Sequence, residues 1–124
     1  MRKIYRSSQE TGAPLSGAHE FNGLVYVSGQ IHVNTSGELV GDTIEEKLEV
    51  VIVNIKNILN DANLELDDVI SLQIYMTDLK QLPALNKAYS TFFKHPLPTR
   101  AAVEVSALPL GASLEICVIA ARQQ

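Results

Sequence analysis

Between Ile44 and Ala62 apolar side chains recur at helical spacing: Ile44, Leu48, Val51, Ile52, Ile55, Ile58 and Leu59 fall on one stripe, while Glu45, Glu46, Lys47, Glu49, Lys56 and Asn57 fall mostly elsewhere. The pattern predicts an amphipathic helix laid on something flat. Thr43 and Glu46 have the spacing of a capping box, in which hydroxyl and carboxylate satisfy backbone N–H groups that the first turn leaves unpaired. A second helical pattern runs from about Gln81 to Phe93, with Leu82, Leu85, Tyr89 and Phe92 turned inward and Pro83 tolerated in its first turn. His95, Pro96 and Pro98 end it.

The remaining apolar positions alternate with period two, as strands do. A short edge strand is predicted over Lys3 to Ser7, followed by a loop through Gly12 and Pro14. Ala18 to Phe21 and Leu24 to Ser28 form a hairpin about Asn22-Gly23, a two-residue turn whose residues accept positive φ. A loop holds Asn34 to Gly37, and Asp67 to Thr77 is a strand with Ile70, Leu72, Ile74 and Met76 on one face and Val69, Ser71, Gln73 and Tyr75 on the other. Pro98 to Ala120 reads as two strands about a turn at Pro109 and Gly111. In the first, Arg100, Ala102 and Glu104 oppose Ala101, Val103 and Val105; in the second, Leu114, Ile116, Val118 and Ala120 oppose Glu115, Cys117, Ile119 and Ala121.

The expected class is therefore α+β, a mixed sheet of about six strands with two helices on one face. Leu24 to Ser28 and Leu114 to Ala121 are apolar on both sides, whereas a strand face left in water normally alternates with polar residues. Other subunits are expected to cover the second face.

Composition narrows the picture. A chain of 124 residues is expected to be one domain spanning 1–124, and 46% hydrophobic with 19% charged residues describes a folded protein. The longest apolar run, Ile116 to Ala121, is far short of the roughly 20 residues that cross a bilayer, and the basic N-terminus lacks the apolar segment of an export signal. The single cysteine, Cys117, permits no internal disulfide and fits a reducing, cytoplasmic setting. A net charge of −4 with scattered basic residues argues against a nucleic-acid partner.

Arg100 and Glu115 stand out as charges in apolar strands. Arg100 is either the partner in an ion pair at a strand end or a planar fork that grips a small carboxylate. Glu115 is either an interface ion-pair partner or a proton-transfer group whose pKa burial raises. Ser28, before Gly29-Gln30 at a strand end, is a plain turn serine or a ligand contact. Glu104 shares a strand face with Arg100 and is expected to form a structural salt bridge; Asn86 and Lys87 would ordinarily be solvated. His19, His32 and His95 lack the spacing of a zinc site, so no metal is expected, and Cys117 reads as an inert packed thiol.

Taken in order, LVYVSGQI at Leu24 to Ile31, the helix ending before LELDDVI, LNKAY at Leu85 to Tyr89, and PTRAAVEV through LEI resemble the RidA/YjgF family of reactive-intermediate deaminases over nearly the whole chain. The resemblance implies a chorismate-mutase-like homotrimer with active sites in clefts between subunits. It implies hydrolysis of small 2-imino acids, in equilibrium with enamines such as 2-aminoacrylate, to 2-keto acids and ammonia without a cofactor. Arg100 would bind the substrate carboxylate, Glu115 would position or activate water, and Ser28 and Asn86 would orient the substrate. The segment APLSGAHEF departs from the family's GPYSQ string: Leu15 stands at the tyrosine position of the pocket and Gly17 in place of glutamine. That wall should be more apolar, and Cys117 stands where relatives often carry glutamate. A carboxylate-binding regulatory trimer without turnover is a second reading of the same cleft, and an endoribonuclease or translation inhibitor a third that the acidic charge disfavours.

Overall fold

The computed structural model describes residues 2–123 as a six-stranded sheet of order β1-β2-β3-β6-β4-β5. The strands are β1 (Arg2–Tyr5), β2 (Ala18–Phe21), β3 (Leu24–Ile31), β4 (Val69–Met76), β5 (Thr99–Glu104) and β6 (Leu114–Ala121). Between them lie a one-turn helix α1 (Ser8–Thr11), the long helix α2 (Ile44–Asp61) and α3 (Leu82–Tyr89). Among the described residues only β4 and β5 pair in parallel, and every other pairing of strands is antiparallel.

The α2 stripe is buried at all seven predicted positions and lies against Val25, Val27, Leu72, Ile74, Leu114, Ile116 and Val118 of the sheet. Its start is fixed as the sequence implies: Thr43 Oγ1 accepts from Glu46 N–H at 3.2 Å, and Glu46 Oε1 accepts from the N–H groups of Thr43 (3.2 Å) and Asp42 (2.8 Å). These donors hold the Glu46 carboxyl below its ordinary range. Asn22 and Gly23 both take positive φ, which matches the hairpin to the right-handed strand twist. Leu85 and Tyr89 of α3 complete the same core, so both long helices cover one face of the sheet. Among the described residues no helix is long and apolar enough to cross a membrane.

Several boundaries differ from the sequence reading. Strand β1 ends at Tyr5 because Arg6 turns left-handed and Ser7 caps α1, a turn hidden within the expected loop. The Asp67 to Thr77 strand begins only at Val69, after a 3₁₀ turn over Leu66–Asp68. There Val69 pairs with Ala120 but Ser71 with Ile119, and this bulge leaves Ile70 46% exposed while Val69 is buried. The second helix spans Leu82–Tyr89 after a 3₁₀ turn at Leu79–Gln81. The Ser90 and Thr91 hydroxyls donate to the carbonyls of Lys87 and Ala88, and Phe93, stacked on Tyr89 at 4.6 Å, is buried more deeply than Phe92.

The face opposite the helices is uncovered in the single chain. One of its rungs runs Ile4, His19, Tyr26, Ile119, Ser71 and Thr99, and Phe21 and Val103 lie on others, with Phe21 and Tyr26 each 48% exposed. A groove of about 230 Å³ there is lined by Tyr26, Ser71, Gln73, Cys117 and Ile119.

Ile55 is fully buried where α2 meets the sheet. Ile55→Ala is expected to cost about 2–5 kcal/mol, read as a lowered urea midpoint at fixed protein concentration; an unchanged midpoint would contradict this account of the core.

Candidate functional site

Register assigns the two candidate charges to opposite faces. Arg100 pairs with Leu72, at the outer end of a core-face rung that runs Tyr5, Ala18, Val27, Val118 and Leu72. Glu115 pairs with Ile31 on one side and Tyr75 on the other, on the face without helices. One chain therefore cannot bring both groups to one small molecule.

Around Arg100 the structure assembles a cationic half-site. The guanidinium carbon stands 4.9 Å from the centroid of the Tyr89 ring, a cation–π seat that fixes the fork without neutralising it. Arg100 forms no ion pair among the described residues. Glu104, the expected partner, instead accepts from Leu79 N–H at 2.9 Å, because the strand end meets the start of the 3₁₀ turn there. Asn86 lies one turn before Tyr89 on α3 and is exposed, as anticipated. Burial raises the Tyr89 hydroxyl above its ordinary pKa, opposed by the Arg100 charge.

The second half-site gathers Ser28, Gly29, Glu115 and the strap carrying Leu15. A bulge in β3 makes it possible: Val27 pairs with Val118 but Gln30 with Ile116, so Ser28 and Gly29 take the place of one residue. A methyl group at Gly29 would stand 2.0 Å from Glu115 Oε2, so the carboxylate rests directly on the glycine backbone. Ser28 donates its hydroxyl to Ser16 O (2.6 Å) and its N–H to Gly17 O (2.9 Å), fastening the strap to the bulge. Leu15 is 46% exposed on that strap, and the Thr11 hydroxyl donates to its carbonyl at 3.0 Å. Gly17 has its own reason to be small, since a Cβ would meet Arg6 Cβ at 2.8 Å.

Glu115 accepts no hydrogen bond and meets no cation among the described residues. Burial raises its pKa, and nothing opposes the shift. Cys117, two residues along on the same face, has its thiol pushed up by burial first and by the Glu115 charge second. Glu20 shows the opposite treatment: Arg122 grips it through two bonds of 2.9 Å and Tyr5 donates at 2.8 Å, which hold its pKa at about 2. Of the two carboxylates, Glu115 is the one whose pKa is raised and whose charge no donor holds, which suits it better to proton transfer.

The sequence reading picked out Arg100, Glu115, Ser28, Asn86 and Leu15 but missed the platform. Tyr89 was visible only as a core position of the helical stripe; its contact with Arg100 follows from the parallel β4–β5 pairing, which brings α3 over the β5 edge. Hollows of about 420 Å³ at Arg2, Glu20 and Arg122, and of about 440 Å³ at Val33, Val53 and Asn54, contain none of the five residues. Neither concavity lies at these half-sites.

Comparison with known proteins identifies the family. Residues 6–122 match the family described as Endoribonuclease L-PSP. Protein HMF1 of Saccharomyces cerevisiae is 38% identical over 120 residues, 97% of this chain and 93% of the relative. The mouse 2-iminobutanoate/2-iminopropanoate deaminase is 32% identical over 123 residues, 97% of this chain and 91% of its own. The crystal structure of YyfA from Yersinia pestis, of the conserved Rid protein family, superposes with a TM-score of 0.88 at 36% identity, covering 98% of this chain and 99% of that one. With its six-stranded sheet and a match running almost from end to end, the chain belongs to the endoribonuclease L-PSP family, the RidA/YjgF proteins.

Proposed function

We propose that this protein is a hydrolytic deaminase of small 2-imino acids, of the 2-iminopropanoate and 2-iminobutanoate class, acting in the cytosol as a homotrimer. The observation that carries the reading is the separation of an unpaired guanidinium and an unpaired carboxylate, its pKa raised by burial, onto opposite faces of one sheet. Each face supplies one wall, and a site closes where the Arg100 edge of one subunit meets the Glu115 face of the next. The uncovered apolar face supplies the driving force for that association. The activity of the mouse relative supports the substrate class.

The chemistry follows from these groups. Arg100 pairs with the substrate carboxylate through a bidentate fork, and Asn86 and Ser28 orient the nitrogen end. The substrate enters as an iminium, with C2 already electrophilic. As the water oxygen forms its bond to C2, the Glu115 carboxylate takes the proton that water loses and then passes it to the carbinolamine nitrogen. The C–N bond breaks with its electron pair leaving on nitrogen, the remaining hydroxyl passes its proton through Glu115 to the departing ammonia as C=O forms, and ammonium leaves with Glu115 again a carboxylate. Proton transfer of this kind contributes about 10²–10⁴ in rate. Leu15 supplies an apolar wall, which favours imines with aliphatic side chains.

Arg100→Ala is expected to abolish release of keto acid from freshly generated 2-iminopropanoate while sedimentation still reports a trimer; undiminished turnover would sink the proposal, and carboxylate binding by the native protein without turnover would identify a binding-only trimer. Co-refolding equal amounts of Arg100→Ala and Glu115→Gln subunits should restore about a quarter of native activity, because one interface in four then joins an intact Arg to an intact Glu. No recovery would mean that both groups act from one chain. Gly29→Ala should displace the Glu115 carboxylate and shift its titration, followed by carboxyl ¹³C NMR; an unmoved titration would contradict the close seat.

A further inference from the structure

His32 is buried to 4% exposure and hydrogen-bonded at both ring nitrogens. Nδ1 lies 3.0 Å from Val40 O, which can only accept, and Nε2 lies 3.0 Å from Ser113 N, whose N–H can only donate. The ring is thus neutral, with its proton on Nδ1. Val40 N–H returns a bond to His32 O at 2.9 Å, so the residue closes the 32–40 loop through backbone and side chain together. Asn54 of α2 reaches the carbonyls on either side, Ile31 O at 3.1 Å and Val33 O at 2.9 Å.

The other end of the ring meets the post from which β6 starts. Ser113 is held three ways: its N–H by His32, its carbonyl by Thr77 N–H at 3.2 Å, and its hydroxyl by Lys47 Nζ at 2.9 Å. Gly41, at φ 101°, lets the loop pass Lys47 so closely that a Cβ would meet the lysine Cγ at 3.0 Å. Two residues beyond Ser113 comes Glu115, whose rung with Ile31 is the last between β3 and β6. His32 therefore carries the cross-strand connection one step past that rung, by a side chain where the backbone ladder has stopped.

We infer that His32 is a positioning residue for Glu115: it clamps the start of β6 against the end of β3, keeps the carboxylate seated on Gly29, and releases that clamp when its ring is protonated. The inference rests on the proposed role of Glu115. Protonation places an N–H at Nε2 against the N–H of Ser113, which cannot accept. The charged group that faces the ring is the Lys47 ammonium of α2; the loop offers the Val40 carbonyl and β6 the uncharged Ser113. Burial lowers the pKa of His32 below its usual 6.5, and Lys47 acts in the same direction. With the folded value below the unfolded one, the stabilisation is complete above about pH 6.5 and is lost as pH falls through the folded pKa.

Two variants test this in the intact protein. Glutamine can donate to Val40 O and accept from Ser113 N–H without titrating, so His32→Gln should keep kcat at pH 8 within about twofold and lose the acid-side step that His32 contributes. His32→Leu leaves the Ser113 N–H unsatisfied and should lower kcat by about ten- to a hundredfold with KM little changed. Amide exchange at Ser113 and the carboxyl ¹³C titration of Glu115 report the clamp without turnover, so absence of imine hydrolysis by the native protein would overturn the proposed function and leave this inference testable. Faster Ser113 exchange and a moved Glu115 titration in His32→Leu, both restored in His32→Gln, are the expected results. Native exchange and an unmoved Glu115 titration in His32→Leu would overturn it. If His32→Leu does not fold, Glu115 in His32→Gln decides: in the native protein its seating should loosen as His32 titrates, and persistence of that transition in His32→Gln would overturn the inference.

Discussion

Strand β6 stands fourth from one end of the sheet and third from the other, with apolar side chains on both sides, and the described residues supply helices for only one of them. On the covered side Leu114, Ile116, Val118 and Ala120 are buried against α2. On the other, Cys117, Ile119 and Ala121 share a surface with Tyr26 and Phe21 that remains half in water. Burying such a surface yields roughly 25 cal/mol for each square ångström removed from water, which is the driving force that the proposed association of subunits would draw on. The same constraint explains why the candidate chemistry is divided. A group at the margin of the covered face and a group within the open face can share a substrate only across a boundary between chains.

Two of the carboxylates on the sheet, Glu20 and Glu115, show how local partners decide between structure and chemistry. Glu20 faces the helix side and joins the strand hairpin to the C-terminal Arg122 and to Tyr5. Its folded pKa lies near 2 against an ordinary 4.5, so its contribution to stability is present above 4.5 and is lost as pH falls towards 2. Glu115 faces the open side with burial as its only influence, and its shift has the opposite sign. A carboxylate already satisfied by a guanidinium is a poor base; one resting against a glycine, with no donor to hold its charge, is a better one.

Much of this was legible in residue patterns, for reasons specific to each element. The α2 stripe was legible because seven large apolar residues at period 3.6 have no alternative arrangement that buries them, and the hairpin because Asn22-Gly23 suits two positive φ values in succession. Ile70 was misassigned because the bulge before Ser71 is set by pairing with β6, which lies more than forty residues further along the chain. The relation of Arg100 to Glu115 was hidden for the same reason. Alternation tells which neighbours share a face within a strand, but only strand order and register relate one strand's faces to another's. Tyr89 beneath Arg100 depends on that order as well, since a core tyrosine and a platform tyrosine have the same sequence pattern.

The bulge in β3 also sets where this chain can change length. Two residues, Ser28 and Gly29, occupy the space of one, and the extra backbone brings Gln30 and Ile31 into step with Ile116 and Glu115. Removing one residue here would restore a regular ladder with Gln30 still opposite Ile116, but would take away the doubled backbone that seats the Glu115 carboxylate on Gly29. The turn over Thr35 to Gly37 has no such coupling, being exposed and closed within itself by Asn34. Insertions and deletions in homologous chains should therefore collect at that turn and be absent between Val27 and Gln30, a boundary drawn by geometry rather than by chemistry.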